Sequence, residues 1–311
     1  MDPVRIYEVT PRDGLQNEAS ILPTSAKVRL VEQLVAAGHK DIEVTSLVKP
    51  NWIPQLSDAN AVLTALRQPP DGVRYWALIP NRRGLDRAMD CGLGHVATFL
   101  SASDTHNRKN LNRTRRESLS NLQRVVGDAV NAGLSVRAYL STAFGCPYEG
   151  AVHPQRVVDM VMQLRSFGAQ EIALGDTTGM AVPTQVRDIV DRLSRAGVDL
   201  GAIALHMHDT RGTALANVLA GYEGGIRTFD AATAGVGGCP YAPGAAGNAA
   251  TEDLIYMFTK MGCETGVDLT KTAEIGVFLA NVLNRDLPGR YHQFHTGRLA
   301  SCPIPSGEAT A

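Results

Sequence analysis

EIALGDTTGMAVPTQVRDIVDRLSRAGVDLGAIALHMH, residues 171–208, reads as one complete strand–helix–strand unit. Glu171 to Asp176 (EIALGD) and Ala202 to His208 (AIALHMH) are short and apolar on nearly every residue. That pattern belongs to strands covered on both faces, as in parallel sheets. Between them, Val182 to Ala196 has the length of a helix. The same unit recurs outward in both directions. VRIYEV (Val4 to Val9), DIEVTS (Asp41 to Ser46), RYWALI (Arg74 to Ile79), HVATFLS (His95 to Ser101), SVRAYLST (Ser135 to Thr142) and TFDAAT (Thr228 to Thr233) are the other predicted strands. Helix-length segments separate most of them. One begins near Thr24 with Ala26, Val28, Leu30, Val31, Leu34 and Val35 as its apolar face, and another runs from Pro154 to Phe167. Eight strand–helix units predict an α/β fold, a (β/α)8 TIM barrel spanning residues 1–286. The periodicity fades after Asp286, so residues 287–311 read as an irregular C-terminal tail. A doubly wound sheet is the competing fold, and it would display a phosphate loop. Gly235-Val-Gly237-Gly238 begins like a dinucleotide fingerprint, but Pro240 stands where the third glycine belongs.

The 311 residues are 44% hydrophobic and 20% charged, with a net charge of −1. That supports a buried core and gives no electrostatic reason for nucleic acid or an anionic membrane as partner. No apolar run reaches the roughly 20 residues of a membrane helix. Five scattered cysteines, Cys91, Cys146, Cys239, Cys263 and Cys302, form no C-x-x-C pair. A disulfide framework and a structural zinc are therefore not expected, and a reducing, cytoplasmic setting is.

In such a barrel the chemistry sits at the C-terminal ends of the strands. His206-Met207-His208-Asp209 closes one strand, and residues i and i+2 of a strand share a face. Two imidazoles there form half of a metal site, or else a hydrogen-bonded histidine pair. Pro11-Arg12-Asp13-Gly14 follows the first strand, offering a hard carboxylate beside a fixed cation, or a simple surface turn. The stretch 235–248, GVGGCPYAPGAAGN, has five glycines and two prolines around Cys239. Loops of this length inside compact domains are lids, binding loops or disordered connections. Glu43, between Ile42 and Val44, is expected to point into the barrel with Arg12 as its partner. Asp176 at a strand end is either an active-site carboxylate or a structural cap. A cluster of Asp, two His and an Asn suits Mg²⁺ or Mn²⁺ in roughly octahedral coordination better than zinc.

At these residues the chain resembles the 3-hydroxy-3-methylglutaryl-CoA lyase family. EVTPRDGLQNE (Glu8 to Glu18), GCPYEG (Gly145 to Gly150), LGDTTG (Leu174 to Gly179), LHMHDTRGTALANV (Leu205 to Val218) and GGCPYAPGAAGN (Gly237 to Asn248) carry the resemblance. It implies a divalent metal, Mg²⁺ or Mn²⁺, held by Asp13, His206, His208 and Asn248. It implies Arg12 as enolate stabiliser, Cys239 as an acid/base on a mobile loop, and Glu43, Asp176 and His206 as further catalytic groups. Asn284 matches a residue near the family's active site. The implied partner is an acyl-CoA substrate, with neither nucleic acid nor membrane, and the implied assembly is a homodimer.

The implied reaction is carbon–carbon cleavage of a 3-hydroxyacyl-CoA, 3-hydroxy-3-methylglutaryl-CoA first. A sibling substrate such as (R)-citramalyl-CoA is the alternative, with a condensing synthase or a non-catalytic metal- or CoA-binding barrel behind it. Ala19 and Asp286 stand where many members carry lysine, Arg211 replaces a tyrosine, Ala173 and Thr178 replace serine and isoleucine, and Leu47 replaces phenylalanine. These departures bear on CoA and acyl contacts and leave the metal residues intact.

Overall fold

Runs of valine, isoleucine, leucine and alanine suit a pleated surface buried on both sides, and eight of them pair in chain order into a closed sheet. The computed structural model describes residues 3–239 and 242–301, the side chains of 239, 242–246 and 299–301 excepted. The order is β1 (Arg5–Glu8), α1 (Thr24–Ala36), β2 (Asp41–Ser46), α2 (Ala59–Leu66), β3 (Arg74–Leu78), α3 (Arg82–Asp90), β4 (His95–Ser101), α4 (Asp104–Leu111), α5 (Arg115–Asn131) and β5 (Ser135–Ser141). There follow α6 (Pro154–Ser166), β6 (Glu171–Asp176), α7 (Pro183–Arg195), β7 (Ile203–Met207), α8 (Ala214–Glu223) and β8 (Thr228–Ala231). Beyond the barrel come β9 (Gly238–Cys239), β10 (Ala242–Ala246), α9 (Thr251–Lys260), α10 (Leu269–Leu283) and α11 (Arg290–Ser301). β1 pairs in parallel with both β2 and β8, which closes the barrel. The predicted TIM barrel is thus the observed fold. Among the described residues no helix is long and apolar enough to cross a membrane.

The interior of the barrel is more polar than its apolar strands suggest. Its upper part is a small cluster of Leu78, Ala97, Tyr139, Ala173 and Ala204, with Phe99 against it. Other inward positions carry charge. Asp41 accepts from the Trp76 indole at 2.9 Å and pairs with Arg74. Arg137 lies 3.7 Å over the Tyr7 ring and pairs with Glu171 at 2.8 Å and with Asp230. These contacts cross the barrel, so the strands lean on one another through ion pairs as well as through packing.

The irregular tail expected for residues 287–311 is corrected: α11 occupies Arg290–Ser301. Asp253 of α9 accepts the N–H groups of Arg290 and Tyr291 at 3.1 and 2.6 Å, so its carboxylate serves the start of the helix from a neighbouring element. The Tyr291 ring packs on Tyr256 at 5.6 Å, holding the helix by tertiary contact. A weakly periodic sequence is helical here because a neighbour caps and covers it. Residues 302–311 lie outside the described residues.

Glu252, in the first turn of α9, is wholly buried. One of its oxygens accepts the Ala234 N–H at 2.7 Å, and the other has no hydrogen-bond partner among the described residues. Burial pushes its carboxyl up to about 8, against the pull of that N–H. Between the ordinary carboxyl range and about pH 8 the folded protein keeps this proton and the unfolded chain does not. Unfolding then releases a proton, so stability falls as pH rises through that window. Glu252→Gln keeps an acceptor for Ala234 and removes the titration. Thermal unfolding at pH 5 and pH 8.5 should show the wild type losing about 6 °C against the variant between the two values. Parallel profiles would mean that Glu252 does not carry a buried proton.

Candidate metal centre and active site

The carbonyl of Val9, at the end of β1, accepts from Arg12, Asp13 and Gly14 at 3.2, 2.8 and 3.1 Å. Thr10–Gly14 thereby form a single π-helical turn, with Pro11 at its start where no N–H is needed. The turn is anchored from below by Glu8, which accepts from the Thr10 N–H and the Thr251 hydroxyl at 3.0 and 2.8 Å. The result sends Arg12 and Asp13 to the barrel mouth, so this is a built turn and not a surface one.

Arg12 is buried and held on two sides. Its Nε and Nη2 donate to the two oxygens of Glu43 at 2.9 and 3.1 Å, a bidentate pair. Its Nη1 donates to Asp13. Glu43 points into the barrel and also accepts from the Tyr139 hydroxyl. Burial works against the Arg12 charge, but Glu43 and Asp13 outweigh it and raise its pKa further. The guanidinium is therefore a permanent cation in one orientation.

Asp13, His206 and His208 place one ligand atom each within 4.8 Å of one another. His206 and His208 end β7 and share its inner side, with their Nε2 atoms 3.2 Å apart. Asn248 reaches the same point because residues 247–250 add to the ends of β7 and β8. Asp209 N–H donates to Gly247 O at 2.7 Å, Ala249 N–H to Met207 O at 3.0 Å, and Ala232 N–H to Ala249 O at 3.0 Å. The Asn248 amide nitrogen donates to Asp13 at 3.0 Å and to Val236 O at 3.3 Å, which ties the side chain to the cluster. A side chain at Gly237 would meet that nitrogen at 2.8 Å, and its φ of +121° is one that glycine alone adopts easily.

The donor set fits a hard divalent ion. Two imidazole nitrogens facing each other at 3.2 Å cannot both be protonated there without repulsion, and the buried His208 Nδ1 has no hydrogen-bond partner among the described residues. Burial, reinforced by His206, pushes His208 down to about 4, so its imidazole is neutral near neutral pH, the form a metal would require. Burial works to raise Asp13, but Arg12, the two imidazoles and the Asn248 amide hold it below the ordinary carboxylate range. Burial alone would lower His206, yet its hydrogen bond to Asp230 and the nearby Asp13 raise it.

The other predicted residues lie around this core. Asp176 ends β6 with its oxygens accepting the Met180 and Ala181 N–H groups at 2.8 and 3.0 Å. Burial lifts it to about 6 despite those bonds. Asn284 is exposed, closes α10 in the left-handed conformation, and is not among the residues lining the mouth. The Cys239 side chain lies outside the described residues, though β9 brings its backbone beside the mouth, where Asn17 donates to Gly238 O at 3.3 Å. Arg211 donates to the carbonyls of Thr178 and Gly179 at 2.7 and 2.9 Å, tying the turn after β7 to the turn after β6. Sequence reasoning passed over Tyr139 and Asp230. Their signal was present: both are polar residues inside otherwise apolar strands.

Above the cluster lies a cavity of about 640 Å³. Arg12, Asp13, Tyr139, His206 and His208 line it, together with Trp52, Phe99, His106, Asn110 and Leu111. Its size suits an acyl group with part of a longer carrier.

The HMGL-like family model matches residues 3–279. A hydroxymethylglutaryl-CoA lyase of Bacillus subtilis (strain 168) is 47% identical over 287 residues, covering 92% of this chain and 95% of that one. A cytoplasmic 3-hydroxy-3-methylglutaryl-CoA lyase of Rattus norvegicus is 45% identical, covering 91% of this chain and 82% of the relative. The solved Bacillus subtilis HMG-CoA lyase superposes with a TM-score of 0.93 at 46% identity, over 95% of this chain and 99% of that chain. An HMG-CoA lyase of Acinetobacter baumannii, solved in complex with coenzyme A and 3-methylmalate, has a TM-score of 0.88 at 37% identity, over 100% and 98% of the two chains.

Proposed function

This chain belongs to the HMGL-like family and is a lyase, and from that premise we propose that it splits the C2–C3 bond of 3-hydroxy-3-methylglutaryl-CoA into acetyl-CoA and acetoacetate, using Mg²⁺ or Mn²⁺. The observation that carries the reading is the cluster of Asp13, His206 and His208 beside an immobilised Arg12, on the floor of a cavity large enough for the acyl group. Relatives named for this substrate, at 45–47% identity over nine-tenths of the chain, support it.

Asp13, His206, His208 and Asn248 would hold the ion. When bound, it supplies Lewis acidity at the C3 hydroxyl and orients the substrate. The hydroxyl proton passes to a base, and the oxygen's electron pair forms the ketone of acetoacetate. The electrons of the C2–C3 bond move to C2, giving the enolate of acetyl-CoA. His206 would hold the ion through Nε2 while its Nδ1 faces Asp230, and it and a neighbouring carboxylate are the candidate bases. Asp176, lifted by burial to about 6, is the carboxylate with the proton affinity nearest neutral, and its oxygens accept the Met180 and Ala181 N–H groups. Arg12 stabilises the negative charge that develops on the thioester oxygen, and Glu43 and Tyr139 keep its plane fixed. Cys239 returns a proton to C2 once the loop at 235–248 covers the substrate.

Turnover of a panel of 3-hydroxyacyl-CoA esters with Mg²⁺ tests the reading. 3-Hydroxy-3-methylglutaryl-CoA should give acetyl-CoA and acetoacetate in equal amounts. Faster release of pyruvate from (R)-citramalyl-CoA would overturn the substrate assignment. Arg12→Lys should lower kcat by roughly a hundredfold or more with little change in KM, because an ammonium cannot reproduce a planar fork that acts in the transition state. A defect confined to KM would make Arg12 a binding residue only. Cys239→Ser should retain Mn²⁺ binding and lose most of kcat, since a hydroxyl is a far weaker acid than a thiol. Normal turnover by that variant would remove Cys239 from the chemistry.

A further inference from the structure

A chain of polar contacts runs from the inside of the barrel to the cluster at its mouth. Arg137 is wholly buried at the middle of β5. Its guanidinium lies 3.7 Å over the Tyr7 ring and 5.1 Å from the Tyr139 ring, so it cannot swing away. One arm pairs with Glu171 at 2.8 Å, and the other donates to Asp230. Asp230 faces His206 across adjacent strands in register, and its second oxygen lies 3.1 Å from His206 Nδ1. His206 Nε2 then faces His208 and Asp13.

Arginine has only donors and keeps its charge. The Asp230 oxygen that faces it must accept. A carboxylate has no hydrogen to offer on its other side, so the second oxygen must accept as well. His206 can answer only by donating from Nδ1, which leaves the lone pair on Nε2, at the cluster. We propose that Arg137 and Asp230 are positioning residues that set the tautomer of His206 and so make its Nε2 a metal ligand. The proposal rests on the metal site argued above, and its first readout is independent of any metal.

Asp230→Asn is nearly isosteric, and it reverses the polarity. The amide oxygen must turn to Arg137, which puts the amide NH2 against Nδ1. His206 then accepts at Nδ1 and carries its proton on Nε2, where it blocks coordination. In the double variant Arg137→Met/Asp230→Asn the amide is released and can turn its oxygen back to Nδ1. Glu171 keeps Arg5 as an ion-pair partner in that variant.

The experiment records imidazole ¹⁵N resonances of metal-stripped protein at pH 8.5, and Mn²⁺ dissociation constants by electron paramagnetic resonance. Wild-type His206 should be the Nδ1–H tautomer. Asp230→Asn should be Nε2–H and bind Mn²⁺ roughly ten- to a hundredfold more weakly. The double variant should recover the Nδ1–H tautomer and most of the affinity. A merely structural role predicts the opposite, a further loss in the double variant, and that result overturns the part assigned to Arg137. An Nε2–H wild type, or an Asn variant with unchanged tautomer and affinity, overturns the whole proposal. Should Asp230→Asn fail to fold, the wild-type tautomer decides alone. Should wild type bind no Mn²⁺, the metal reading fails while the tautomer still tests this one.

Discussion

The parallel pairing of β1 with β8 closes the sheet, and the site at the mouth depends on that closure. Asp13 comes from the turn after β1, His206 and His208 from the end of β7, and Asn248 from the segment that adds to β7 and β8. In an open sheet the first and last strands would be edges, and the carboxylate would lie far from the imidazoles. Closure turns separation along the chain into ligand atoms within 4.8 Å. The π-helical turn of Thr10–Gly14 does the final aiming: it sets Arg12 and Asp13 side by side at the mouth.

Beneath the mouth the barrel carries charges that a purely apolar core would not need. Arg137, Asp230, Glu171, Asp41, Arg5 and Arg74 pair within and around the strands. Burying such ions costs several kcal/mol each before pairing, and removing one partner costs roughly 3–5 kcal/mol. A hydrophobic replacement set could match that stability. What it could not supply is polarity: a fixed cation that makes Asp230 accept, and an acceptor that holds one His206 nitrogen. The same logic applies to Glu43, whose two oxygens hold the Arg12 plane while the Tyr139 hydroxyl holds Glu43. The charged interior is the foundation on which the mouth is oriented.

Much of this was legible in the sequence. EIALGD and AIALHMH announced doubly covered strands, and eight such units implied the barrel. The i, i+2 spacing of His206 and His208 implied a shared face, and the Ile42–Glu43–Val44 alternation implied a carboxylate pointing inward. What escaped was whatever depends on a residue from a distant element. Arg137 sits in mid-strand, where polar residues at strand ends draw the eye away from it. The turn at Pro11–Gly14 looks like an ordinary Asp-Gly turn until Glu8, Thr10 and Thr251 are seen to anchor it. The helix at Arg290–Ser301 has too weak a pattern to declare itself, because Asp253 and Tyr256 of α9 cap and cover it from outside.

On the reading proposed above, the barrel mouth is one divalent-metal site with four protein ligands. Anomalous diffraction from crystals grown with Mn²⁺ tests it most directly. A single strong peak is expected at the mouth within about 2.0–2.4 Å of Asp13, His206 Nε2, His208 Nε2 and the Asn248 side-chain oxygen, with solvent or substrate oxygens completing the octahedron. A mouth without a peak at saturating Mn²⁺, or a peak held by other residues, would contradict it.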